Sequence, residues 1–187
     1  MQNTHWVDEH LVPLDTPKHI IAKARVYATP QDAWDDWDTG IDMLWILSQT
    51  IANRTKRSSM IHCLCDIAER VLPIFEKTYP EDKRPREAIE AARQYADGEL
   101  KDPVICNSAR DAAYTAAHSA YDSRHIVAAY AALAATHTVD PDAEQLFEAV
   151  DLAVANYATS AVEDNARAAE HQAQAEIIRR YFPEAPF

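Results

Sequence analysis

Two glycines in 187 residues, Gly40 and Gly98, set the first limit on what this chain can fold into. Tight hairpins, bulges and phosphate-cradling loops use glycine for turns and close backbone approach, so β-rich and P-loop folds are disfavoured. Helix remains, and the punctuation is written for it. Thr16-Pro17, Thr29-Pro30, Asp102-Pro103 and Asp140-Pro141 each place a side-chain oxygen acceptor before a proline. Such an oxygen can cap free N–H groups, while proline lacks a donor where none is needed, in the first turn. Thr29 with Asp32 and Thr39 with Asp42 also have capping-box spacing, with Asp in place of Glu.

Between these marks residues follow stripes at helical spacing: Ile41, Leu44, Trp45 and Ser48; Met60, Leu64, Ile67, Val71 and Ile74 or Phe75; Ile89, Ala92, Arg93 and Ala96. Pro73 predicts a kink or break near residue 70, and Gly98 a helix stop. The predicted helices are 18–28, 30–37, 40–53, 56–79, 85–97, 103–136 and 141–182. Alanine on their inner faces lets axes approach closely. The expected fold is all-α: a single-domain antiparallel bundle of about seven helices over 18–182, with alanine-rich packing, a polar N-terminal tail (1–17) and a C-terminal tail (183–187).

The formal net charge of −12 repels nucleic-acid phosphates and anionic lipids and favours a basic protein partner. Three cysteines, Cys63, Cys65 and Cys106, do not read as a disulfide framework. The longest apolar run, 126–135, is too short to span a bilayer, and the first ten residues are polar. A cytoplasmic location without nucleic-acid or membrane partners is expected, with a homo-oligomer left open.

Several constellations invite chemistry. His62, Cys63, Cys65 and Asp66 resemble a metal cluster, yet on a helix the two cysteines point about 200° apart and His62 with Asp66 makes only two ligands. No metal site and no cofactor are expected. Arg110, Tyr114, His118, Tyr121 and His125 step along one side of a helix and could line a pocket for an aromatic or phosphorylated small molecule. On the last helix Asp164, Arg167, His171 and Gln174 read as a solvated row. Trp34 and Trp37, set among Asp35, Asp36 and Asp38, could anchor a basic partner, or the indoles could be core. No catalytic motif appears: there is no glycine elbow and no His-Glu-x-x-His.

Arg84 and Arg86 pose a puzzle, because a cation at a helix start opposes the dipole by roughly 0.3–1 kcal/mol. Glu90, four residues after Arg86, offsets only a few tenths of a kcal/mol, by rough estimate. The expectation is a clamp: at least one of the two guanidiniums docks into a neighbouring helix, with Asp66 or Asp42 as its partner. The other reading adds Arg84 and Arg86 to an anion-binding pocket.

Three stretches, AWDDWDTGIDMLWIL (33–47), CLCDIAERVLPIFEKTYPEDKRPREAIEAARQYADGE (63–99) and ARDAAYTAAHSAYDSRHIVAAYAALAA (109–135), together resemble the predicted bacterial immunity protein family numbered fifth in that series, over roughly residues 22–182. The family is found beside polymorphic toxins and in phages. The resemblance implies an all-α, non-catalytic binding protein. The partner expected is a cognate protein toxin or a host defence protein, and the chain's own charge adds that it is capped through an acidic face. The alternative is a phage or bacterial anti-defence protein that sequesters a small nucleotide-like signalling molecule.

Overall fold

The computed structural model describes residues 4–50, 56–122, 133 and 164–187, with the backbone alone for 164–167. In chain order these form α1 (Trp6–His10), a 3₁₀ turn (Val12–Leu14), α2 (Lys18–Ala24), α3 (Pro30–Asp36), α4 (Gly40–Thr50), α5 (Arg57–Thr78), α6 (Arg84–Ala96), α7 (Pro103–Asp122) and α8 (Asp164–Tyr181). The described residues contain no strand, and the fold is an all-helical bundle. Asp140 and the second half of the expected 103–136 helix, Leu133 apart, lie outside the described residues.

Two predicted caps form: Thr29 accepts from the Asp32 N–H at 3.1 Å, and Asp102 from the Val104 N–H at 2.9 Å. Thr16 does otherwise. Its hydroxyl turns back to the Leu11 carbonyl, and α2 starts without a side-chain cap. Asp42 does not complete a box either; it accepts from Trp37 Nε1 at 3.2 Å and meets His19 Nε2 at 3.1 Å. Helix α5 runs unbroken through Pro73. Proline forfeits one N–H···O bond, and Pro73 is exposed, so the freed carbonyl can turn to water. Gly98, at φ 76°, stops α6.

Helix α5 faces two cores. Its Cys63, Leu64 and Ile67 join the first, with Trp6, Val7 and Leu11 of the N-terminal segment, Ile20, Trp34 and Trp37, Met43 to Leu47 on α4, and Ile177, Ile178 and Phe182. Its Ile61, Cys65, Ala68, Val71, Leu72 and Phe75 join the second, with Ile89, Ala91, Ala92, Cys106, Ala116, Ala117 and Ala120. Alanine-rich packing thus belongs to the second core. There the Cys65 thiol lies 3.8 Å from the Ile89 carbonyl and the Cys106 thiol 3.6 Å from that of Ala91, side chains resting on neighbouring backbone. In the first core Gly40 serves close approach: a Cβ there would fall 2.5 Å from Gln174 Cβ on α8.

The expected N-terminal tail is therefore partly core. Trp6, Val7 and Leu11 are buried, and Trp6 Nε1 donates to the Tyr27 carbonyl at 3.0 Å. A five-residue helix is too short to show a period, so charged neighbours mask its apolar side. Residues 183–187 fold back too. The Pro183 carbonyl and Ala185 N–H bond the Gln31 amide, and the Phe187 ring lies 5.8 Å from that of Trp6.

Candidate functional site: a charged groove between α5 and α8

The site begins with the α5–α6 hairpin. Arg86 grips Glu76 through two N–H···O bonds, 2.6 and 2.9 Å. Seven residues on along α6 and seven back along α5, Arg93 donates to Glu69 at 2.9 Å and to Asp66 at 2.7 Å. Equal steps in opposite directions are the register of antiparallel helices, so these guanidiniums fasten α6 along α5. The hydrogen bond from Arg86 holds the Glu76 carboxyl below its ordinary pKa. Burial opposes the Arg93 charge, but the Asp66 bond and the Glu69 and Asp66 fields outweigh it and raise its pKa.

The expected clamp thus has a different address. Arg86 meets neither Asp66 nor Asp42, and Glu90 reaches it only as a nearby negative charge. Arg86 sits at the hairpin's closed end, opposite the last turns of α5, whereas Asp66 lies further along, opposite Arg93. Arg84 is held locally: Asp82 accepts from its backbone N–H and from Nε and Nη2 at 3.2, 2.8 and 2.6 Å. One carboxylate therefore takes up the first free N–H of the helix and neutralises the cation beside it.

Asp66 is also the hub towards α8. The Tyr181 hydroxyl donates to it at 2.8 Å, and Arg180 stands 3.6 Å away. Burial, then the bond to Asp66, pushes the Tyr181 phenol up to about 12, so it remains a donor at neutral pH. One turn further along α5, Arg70 takes the buried Glu170 in a two-bond fork at 2.9 and 2.8 Å. Between the two helices lies a groove of about 590 Å³ lined by Asp66, Glu69, Arg70, Ala173, Glu176, Ile177 and Arg180.

The partner-binding candidates divide. Trp34 and Trp37 are each 1% exposed and their indole N–H groups are spent on the Phe182 carbonyl and Asp42, so neither ring can meet a partner. Asp35, Asp36 and Asp38 are exposed, taking hydrogen bonds from Gln31, Tyr27 and Lys23 respectively. Arg179 donates to the carbonyls of Trp34 and Trp37, a cation placed on the C-terminal end of α3.

The described small-molecule candidates, Arg84, Arg86, Arg110, Tyr114, His118 and Tyr121, do not line the groove. Tyr114 and Tyr121 are about half exposed on α7; the Tyr114 and His118 rings are 4.3 Å apart, and Arg110 meets Asp111 at 3.2 Å. His125 lies outside the described residues. Gln174, expected in a solvated row, is fully buried against α4. Cys63 and Cys65 point into different cores, and burial pushes the Cys63 thiol far up, away from the reactive thiolate. His62 meets Asp97 at 2.9 Å. Among the described residues no group of His, Cys, Asp and Glu is placed to hold a metal, and no helix is long and apolar enough to cross a membrane.

Comparison with known proteins matches the chain to the family model of the Imm-5 like putative immunity protein over residues 49–181. The chain belongs to the Imm-5 like family. Its match holds α5 to α8, and with them the groove and the Asp66 hub, whereas α3 and its carboxylates precede it. The sequence resemblance reaches back to residue 22; the match begins at 49. No curated protein and no solved structure was found to match the chain.

Sequence reasoning missed Arg70, Glu76, Arg93, Glu170 and the Arg179–Tyr181 run as fasteners. The equal seven-residue spacing of Glu69 and Glu76 on one helix and Arg86 and Arg93 on the next was the available signal.

Proposed function

We propose that this Imm-5 like protein is a non-catalytic inhibitor that neutralises a protein toxin by covering it, with an acidic face to steer and register the partner. Family membership supplies the class. The observation that carries the mechanism is the backing of the α3 carboxylates. Asp32, Asp35 and Asp36 are exposed on a helix whose Trp34 is fully buried and whose last carbonyls are held by Arg179. A face fixed in this way meets a partner without ordering cost. The first fifty residues carry eight carboxylates against three Lys and Arg, and such a field accelerates encounter with a basic surface and rejects acidic ones.

Activity measured with a cognate toxin domain, at increasing ratios of the purified chain, tests this. Covering predicts that inhibition is complete at one equivalent and that intact toxin returns on denaturing the complex. Inhibition by a small fraction of an equivalent, or toxin recovered chemically altered, would mean catalysis. A small molecule released from the purified chain on denaturation, read at 260 nm, would favour sequestration instead.

A further inference from the structure

We propose that the groove between α5 and α8 is a socket for one cationic side chain, arginine or lysine, of the partner protein. The partner in this statement rests on the inhibitor reading; the socket itself rests on the groove. Four carboxylates, Asp66, Glu69, Glu170 and Glu176, gather there with three guanidiniums, Arg70, Arg93 and Arg180. Among the described residues one negative charge is unmatched, and the bonding pattern shows where it resides. Arg70 forks onto the buried Glu170, while Arg93 holds Asp66 and one oxygen of Glu69. Glu176 is exposed, and its one polar contact among the described residues is the Gln172 amide at 3.5 Å.

Arg180 is the movable part. Its side chain is 65% exposed and stands 3.6 Å from an Asp66 already bonded to Arg93 and Tyr181. It can swing aside without leaving that carboxylate unpaired. An anion would instead face three lining carboxylates and find Arg70 already committed. A long cationic side chain suits the walls as well. Its methylenes can lie on Ala173 and Ile177, while its head reaches Glu176 and Glu69. The groove also adjoins the acidic face. Consecutive residues of α8 serve the two, Arg179 on the end of α3 and Arg180 in the groove.

Nα-acetyl-arginine methylamide, titrated into the full chain at low salt and followed by amide NMR, tests the socket without a toxin. The neutral citrulline analogue and inorganic phosphate are the controls. Saturable shifts at Ala173, Glu176 and Ile177 are expected with the arginine probe and not with either control. Glu176→Gln, on an exposed residue, should leave the melting temperature unchanged and weaken the arginine probe roughly three- to fivefold. Equal shifts with citrulline, displacement by phosphate, or unchanged affinity in E176Q would overturn the socket. Inhibition of a toxin that E176Q leaves intact, with probe binding absent, would remove the socket and spare the inhibitor. Probe binding without inhibition of any toxin would spare the socket and remove the inhibitor.

Discussion

The two cores that share α5 are made of opposite materials. Of nineteen buried residues in the first, three are tryptophan and three alanine; of thirteen in the second, six are alanine and none is tryptophan. The first reaches its closure by volume, large rings filling the space beneath short helices and fixing their polar ends to a backbone carbonyl or, for Trp37, to Asp42. The second reaches it by proximity, long helices set so close that a thiol touches the next backbone. A core of the first kind is vulnerable to subtraction and one of the second to addition.

The largest effect is expected from Trp34→Ala. It empties a fully buried indole site and leaves the Phe182 carbonyl without its donor, so a loss of about 3–5 kcal/mol in denaturant unfolding is predicted. A loss under ~1 kcal/mol would mean that volume does not hold the first core. Arg93→Ala comes next. It removes bonds to two carboxylates on α5, and about 1.5–3 kcal/mol should go, whereas the more exposed Arg86→Ala should lose ~1 kcal/mol or less. In the second core Ala117→Leu should cost about 1–3 kcal/mol by forcing α7 outward. If the larger residue were stabilising, proximity would not be the principle there.

The smallest effects are in pH. Hydrogen bonds from Lys23, Arg86 and Arg84 hold Asp38, Glu76 and Asp82 below their ordinary pKa values. Their contribution is present above the unfolded carboxylate range, about pH 4, and is lost as pH falls through the lower folded values. Stability should therefore hold level from neutral to ~pH 5 and decline below ~pH 4. Tyr181 acts at the other extreme. With its folded pKa raised to about 12, its contribution is complete below the ordinary tyrosine value near 10 and disappears as pH rises through 12. An ultraviolet titration of the phenols should show an ionisation near 12 that Tyr181→Phe removes.

Legibility in the sequence follows the same division. Long helices declared themselves: α5 and α6 have several turns, a repeating apolar side and punctuated ends, so their extents are close to those expected, and α7 begins at the expected Pro103. Helix α1, one turn long, could not show a period, and Trp6 beside Val7 reads as ordinary tail composition. Trp34 and Trp37 were ambiguous because three aspartates adjoin them. Only the position of Phe182, 148 residues away from Trp34, settles that the indoles face inward. The groove was out of reach for the same reason: it joins residues 66–70 to 173–180, and no local pattern encodes which distant helix will lie opposite. Arg86 shows the intermediate case. A cation at a helix start announced a partner, but choosing Glu76 over Asp66 required the hairpin register.

Whether α5 welds the two cores into one body is the central point, because a rigid body is what lets the α3 face and the groove be presented together. Differential scanning calorimetry of the chain and of Trp34→Ala measures it directly. One transition is predicted, with calorimetric and van't Hoff enthalpies equal, and W34A should lower that single melting temperature as a whole. Two resolved transitions, with the substitution shifting only one of them, would contradict the account.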